Sequence, residues 1–376
     1  MEWTMLCYDG TEYTLPTPVA WRLNYGLGTP CDSVWVKTLW SAGQESRLAD
    51  GTRLRVTEKG ETLFFGVIDE CETQWSPAGC VAEITGRGLQ ALLLDNQAEA
   101  ADYGQATLAE ILRRYVTPYG IGLEKAVSLP AVQGFSVASG SSCWKVLYTF
   151  ARYYAGVTPR FTRAGKLALH PWEDKTPAAL DEAAPVTRVV RRDQRYGVLS
   201  QVTVKDVTGW TRQTEFNEDF RRRGGQCSRV ILLPKDTGFQ ARRYQAKFQL
   251  DRSAAERLVI EVTVALPFAA WPGDLVRLTR TGWSGNGTYR VRESRVCLGS
   301  WGMRPPWCWE TLRGFYKGEK RRQSHVDGKR TAGNPAAGAW GRMGRSDVIR
   351  RHSGGVSGGG APAGSGLSAG RVSLGS

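Results

Sequence analysis

Leu258-Val259-Ile260-Glu261-Val262-Thr263-Val264 decides the fold class of this chain. Five of these residues are β-branched, which suits a pleated, packed surface better than a helix. Working outward, further strand candidates lie at 198–205, 230–233, 244–250, 275–279, 288–296 and 307–313, with 282–287 as a hairpin loop. Residues 1–88 read the same way, with candidates at 34–36, 39–40, 52–57, 63–68 and 81–85. Arg53-Leu54-Arg55-Val56-Thr57 alternates polar and apolar, which puts one face on a core. Asp50-Gly51, Lys59-Gly60 and Ser76-Pro77-Ala78-Gly79 punctuate these runs as turns. Closely spaced short strands of this kind predict a small barrel or sandwich.

The period changes between residues 89 and 169. Thr107-Leu108-Ala109-Glu110 has the form of a capping box, and Leu108, Ile111, Leu112, Tyr115 and Val116 then line one helix face until Pro118 and Gly120. A second helix starts near Ser141-Ser142, with Trp144, Leu147, Tyr148, Ala151 and Tyr154 on one stripe. Residues 158–162 and 166–170 form a hairpin around Ala164-Gly165, and 170–186, with three prolines, reads as a linker. The predicted fold is therefore mainly β with an α+β insertion. Residues 1–88 form a first β-barrel domain, 89–185 an α/β domain with its linker, and 186–316 a second β-barrel domain of the same fold. Residues 317–376 form a flexible basic tail.

That tail carries 11 Lys and Arg against 3 Asp and Glu, a net +8, leaving only +6 of the chain's +14 for the other 316 residues. With 15 glycines in 60 positions it cannot bury enough apolar surface to offset its ordering entropy, so it is expected to be disordered when free. The chain has 376 residues, 41% hydrophobic and 23% charged, which predicts several soluble domains. No stretch approaches the ~20 apolar residues of a membrane span. Residues 1–16 lack the pattern of a signal peptide, so the expected compartment is the cytoplasm.

Catalytic, metal and cofactor motifs are not found, and no site residue of any of these kinds is assigned. The eight cysteines include no CxxC pair; in a reducing compartment most read as core or strand residues, with Cys71 and Cys80 facing each other across a hairpin as the one disulfide considered. Of the three histidines, His170 stands at a strand end and reads as a surface or packing residue. Ser139-Gly140-Ser141-Ser142-Cys143 lacks the GxSxG pattern and reads as a helix N-cap. Gly86-Arg87-Gly88 and Gly120-Ile121-Gly122 lack the spacing of a nucleotide-binding loop. Asp69, Glu70 and Glu72 read as a solvated strand edge. Basic runs at Arg191-Arg192, Arg221-Arg222-Arg223 and Lys320-Arg321-Arg322 read as solubilising or interface charge. Of the 14 tryptophans, ten (Trp35, Trp40, Trp75, Trp210, Trp271, Trp283, Trp301, Trp307, Trp309 and Trp340) are spread over strands and loops, which predicts that several serve subunit interfaces.

Four segments together resemble the baseplate hub proteins of contractile phage tails, the Mu-type hubs and late-control D proteins. They are Glu83-Ile84-Thr85-Gly86-Arg87-Gly88-Leu89 with the leucine-rich run to Asp95; the Thr107 helix ending at Tyr119-Gly120-Ile121; Cys143-Trp144 through the hairpin turn Gly165-Lys166-Leu167; and Pro272-Gly273-Asp274-Leu275-Val276 with Gly287-Thr288-Tyr289-Arg290-Val291. The resemblance spans residues 1–313 and leaves the tail unmatched. It implies a non-enzymatic homotrimer in the virion tail, without cofactors, whose three pairs of barrels form a six-membered ring. Its implied partners are the sixfold tail tube above, a trimeric spike below and other baseplate proteins, with no membrane. The competing readings are a nucleic-acid-binding protein with a basic arm, whose tail contacts DNA, and a lytic tail enzyme.

Overall fold

The structure, a computed structural model, describes residues 1–26, 31–41, 43, 45–154, 157–193, 196–206, 212–233, 239–255, 257–265, 268–298 and 307–315. The basic tail 317–376 lies outside the described residues. The protein is mainly β, with a few helices.

The first β module is built from Glu2–Cys7, Glu12–Thr14, Ala20–Gly26, Ser33–Leu39, Gly51–Glu58, Glu61–Ser76 and Gly79–Gly88. Alternation along these strands sends Trp21, Leu23, Tyr25, Val34, Val36, Leu54, Val56, Ala82 and Ile84 into one core with Trp3 and Phe64. Lys59 and Gly60 both have positive φ (50° and 84°), the primed turn that closes the tight hairpin Glu58↔Glu61. The next hairpin, Glu61–Ser76 with Gly79–Gly88, runs well beyond the core. It kinks at a bulge between Ile68 and Glu70. There the strands approach closely: a Cβ on Gly86 would meet the Val67 carbonyl oxygen, and one on Gly66 the Arg87 carbonyl oxygen. Gly86-Arg87-Gly88 thus continues the strand and runs into the helix Gln90–Asp95.

The α/β module follows. Thr107 caps Leu108–Tyr115 as a capping box: its hydroxyl accepts from Glu110 N at 3.3 Å, and its own N–H donates to Glu110 Oε2 at 2.9 Å. Gly120, left-handed at φ 72°, ends the short 3₁₀ turn after it. Ser142 caps Cys143–Tyr148 through a 3.1 Å bond from Lys145 N. These helices bury Ile111 and Leu147, and the π-helical turn Thr149–Tyr154 buries Phe150 and Ala151, against Phe135 and Leu167.

The second β module comprises Ala178–Leu180, Val186–Asp193, Leu258–Val264, Leu275–Leu278, Gly287–Leu298 and Trp307–Phe315. Part of the expected linker is thus a strand, pairing parallel to Leu275–Leu278. Ile260, Val262, Val264, Val276, Leu278 and Val291 fill the core. Between Val186–Asp193 and Leu258–Val264 the chain builds a separate layer: strands Arg212–Phe216, Gln201–Asp206 and Ser228–Leu233 under the helix Phe239–Ala255. Residues 244–250, expected as a strand, lie in this helix. Tyr244, Ala246, Phe248 and Leu250 alternate with polar residues, but the chain instead buries Ala246 and Leu250, four apart, on the sheet.

Five strands of the two β modules follow one connectivity. The spatial order Ala20–Gly26, Ser33–Leu39, Gly79–Gly88, Glu61–Ser76, Gly51–Glu58 is repeated as Val186–Asp193, Leu258–Val264, Trp307–Phe315, Gly287–Leu298, Leu275–Leu278. Every neighbouring pair in both series is antiparallel. The flanking strands differ: Glu2–Cys7 runs antiparallel to Gly51–Glu58, whereas Ala178–Leu180 runs parallel to its neighbour.

Candidate functional site

The features that invite function are edges and seams. Gly287–Leu298 belongs to two modules at once. Its first residues pair with Leu275–Leu278, and residues 293–298 pair antiparallel with 26–21 of the first module. One sheet therefore runs through both. Val296, 3% exposed, enters the first module's core opposite Leu23, and Leu298 packs there opposite Trp21. Beside them Arg295 Nε donates to Asn24 Oδ1 at 2.8 Å.

The α/β module closes this seam. Trp271 meets Tyr25 edge-on, with centroids 5.1 Å apart, and Arg163 stacks on Trp271 at 4.1 Å. Tyr25 is buried with its hydroxyl donating to Leu63 O at 2.9 Å. Arg160 lies over Trp172 at 4.0 Å and donates to the His170 carbonyl oxygen. A cavity of about 40 Å³ bounded by Gly26, Asp32, Phe65, Arg160, Arg163 and Trp172 remains, room for about one water molecule. Burial pushes the Asp32 carboxyl up to about 7, opposed by the Gly26 N–H it accepts at 3.0 Å. Arg87 ties the first module to the helix Gln90–Asp95: it makes two bonds to Asp69 (2.8 and 2.9 Å) and two to Asp95 (3.2 and 2.7 Å), which raise its pKa further.

Two edges are left over. Along residues 70–76, Glu61–Ser76 pairs with Gly79–Gly88 on one side and, among the described residues, with no strand on the other. Among the described residues, Val186–Asp193 likewise pairs only with Leu258–Val264. The first edge exposes Glu70, Glu72 and Trp75, the last at 73%; the second exposes Arg188, Arg191 and Arg192. The solvated strand edge expected at Glu70 and Glu72 is thus found, whereas the sequence marks Trp75, Arg191 and Arg192 only as interface or solubilising residues and does not single out Arg188.

The residues weighed for chemistry are scattered. His170 accepts or donates to Glu124 at 2.8 Å on a strand-end surface, far in sequence from the helix-capping Ser142. Asp69 is held by Arg87, so the three acidic residues form no shared site. Cys71 stands opposite Ile84 and Cys80 opposite Trp75; both are free thiols, because the hairpin register sets them apart. Among the described residues, no group of three or more His, Cys, Asp or Glu is arranged to hold a metal ion. Arg221 and Arg222 end the short helix Glu218–Arg222. Most described tryptophans serve the chain itself: Trp3, Trp21, Trp40 and Trp144 are buried, and Trp271 fills the seam. Trp75 is the most exposed of them. Trp210, Trp301 and Trp340 lie outside the described residues, as do the side chains of Trp307 and Trp309.

No protein-family model matches the chain, and no curated protein matches it in sequence. Solved structures do. A tail protein from Neisseria meningitidis MC58 superposes with TM-score 0.67 at 16% identity, over 84% of this chain and 97% of that one. The fold is that of phage tail proteins. The 43 kDa tail protein of prophage MuSo2 from Shewanella oneidensis shares this tail-protein fold with TM-score 0.65 at 14% identity, over 84% and 98%. The prophage tail protein gp18 from Listeria monocytogenes EGD-e gives 0.55 at 11%, over 83% and 94%. All three are matched nearly end to end.

Proposed function

We propose that the chain is a structural component of a phage or phage-like tail: the annular hub of a baseplate, acting as a homotrimer and carrying out no chemistry of its own. The observation that carries this reading is the repeated strand connectivity of the two β modules within one sheet. A chain that holds two equivalent modules side by side gives six modules from three copies. Such a ring matches a sixfold tube on one face and, through the unequal α/β parts, a threefold spike on the other. The tail-protein fold of the solved neighbours supports the setting. Its place would then be the tail of the particle, with tube, spike and other baseplate proteins as partners and the basic tail 317–376 as an added contact arm.

Light scattering coupled to size exclusion, with negative-stain imaging, tests it. Three times the 41.4 kDa chain mass and a ring of six lobes are expected. A stable monomer at micromolar concentration would overturn the proposal, because interfaces of this kind bury about 2,000 Å² or more. Clearing of peptidoglycan by the purified protein would overturn its non-enzymatic part.

A further inference from the structure

The joint inside the chain is a template for a joint between chains. In the first module Val34 stands opposite Gly86, and Gly86 opposite Ile68; in the second Ile260 stands opposite Gly314, and Gly314 opposite Val291. Immediately beyond this row both long strands bulge, between Ile68 and Glu70 and between Val291 and Glu293. Two bulges at one place make Glu70 equivalent to Glu293; counted along the strand, past a second irregularity of the Gly287–Leu298 ladder between Glu293 and Cys297, Glu72 then corresponds to Arg295 and Trp75 to Leu298. On the receiving side Leu23 is opposite Val34 and Arg191 opposite Ile260, which makes Asn24 equivalent to Arg192 and Trp21 to Val189.

Inside the chain, the strand beyond the second bulge is taken up by the Ala20–Gly26 edge. The strand beyond the first bulge has no such partner among the described residues, and neither has Val186–Asp193, the counterpart of Ala20–Gly26. We propose that residues 70–76 of one copy pair antiparallel with the Val186–Asp193 edge of the next copy, with Glu72 beside Arg192 and Trp75 beside Val189. This rests on the ring reading above and names the strands that close the ring.

Three observations converge on a second copy as the occupant. The donor edge carries Glu70 and Glu72, neither in an ion pair among the described residues, and the receiving edge carries Arg188, Arg191 and Arg192, of which Arg192 also pairs with Glu261 at 2.8 Å within the chain and would be shared with Glu72. Opposite charge on paired edges favours this pairing and penalises acid-to-acid or base-to-base pairing. The chemistry of the template is also kept at two of its positions, while the buried Val296–Leu23 pair becomes Thr73 against Arg191. Arg295 bonded to Asn24 becomes Glu72 against Arg192, a polar pair on the outer face. Leu298 on Trp21 becomes Trp75 on Val189, an apolar pair on the inner face. Finally, a side chain as large as Trp75 left 73% exposed on an unpaired edge invites association, which the added strand would satisfy.

The test is a cysteine pair. Val296 faces Leu23 inside the chain, so Thr73 should face Arg191 between copies. The full-length chain carrying both Thr73→Cys and Arg191→Cys should, on oxidation, give covalent species up to a trimer on a non-reducing gel. Each single variant should remain monomeric on the same gel, controlling for Cys71 and Cys80. Glu72→Arg and Trp75→Ala, at exposed positions, should each weaken self-association by roughly tenfold by light scattering. A parent that is trimeric, with a cysteine pair that does not cross-link and a Glu72→Arg variant that associates normally, overturns the strand pairing and leaves the ring reading standing. A parent that is monomeric up to tens of micromolar overturns both.

Discussion

Val296→Ala probes the internal joint where its energetic meaning is plainest. Val296 leaves the second module and is 3% exposed within the core of the first. Truncation removes two methyl groups, costing about 1.6 kcal/mol at ~0.8 kcal/mol each. A residual cavity on the order of 40 Å³ adds about 1 kcal/mol at ~24 cal/mol per Å³. The expected loss is therefore about 2–3 kcal/mol, large against the ~5–15 kcal/mol of a typical domain. Val291→Ala, 1% exposed on the same strand but in the second module's own core, should cost a similar amount. Urea unfolding followed by tryptophan fluorescence, dominated in the first core by Trp3, Trp21 and Trp40, measures both. If the shared strand makes the two modules one cooperative body, both variants shift the same transition. A loss below about 0.5 kcal/mol for Val296→Ala, or a Val291→Ala shift in a transition that the first-core tryptophans do not follow, would refute that reasoning.

Three further outcomes follow from particular contacts. Arg87→Met should cost about 0.5–1 kcal/mol by denaturant unfolding, because it removes the shared partner of the half-exposed Asp69 and Asp95. Thr107→Ala removes a capping box and should cost about 1 kcal/mol, measured the same way, with helix Leu108–Tyr115 losing amide protection first by hydrogen exchange. For Asp32 the sign runs from its folded value of about 7 above an ordinary 3.8: stability is fully present below about pH 4 and is lost as pH rises toward 7. Asp32→Asn should therefore gain about 2–4 kcal/mol relative to the parent at pH 8 and little at pH 4; a difference independent of pH would show that the carboxyl is not desolvated.

Local signals were legible wherever local chemistry decides. The five β-branched residues of Leu258–Val264, the capping box at Thr107, the cap at Ser142 and the Lys59-Gly60 turn each specify their own element. Period failed at 244–250, where a two-residue alternation coincided with an i, i+4 pair and tertiary contact chose the helix. The short strand Ala178–Leu180 was hidden because its β character comes from a parallel partner almost 100 residues away. The joint between the modules was least legible: Arg295 and Asn24 are 271 residues apart, and neither carries a mark of the other. Glu70 and Glu72 were legible as a strand edge, while Trp75, Arg191 and Arg192 stood out only as residue types, and their place on edges emerges from pairing. Of the tryptophans whose side chains are described, Trp3, Trp21, Trp40 and Trp144 fill cores and Trp271 the seam, because a large flat side chain fills irregular junctions within a chain as well as between chains.

The excursion between Val186–Asp193 and Leu258–Val264 leaves and returns at adjacent points. Asp193 and Leu258 are ladder partners, and Arg257 grips Asp193 with bonds of 2.7 and 3.1 Å at the very root. In lineage terms that root is a grafting point. The cassette rising from it can lengthen, shrink or be exchanged while the ladder beneath keeps its register, since the two strand ends already sit at the separation a tight turn would span. The sheet can in this way stay fixed while what it carries changes above one arginine–aspartate clasp.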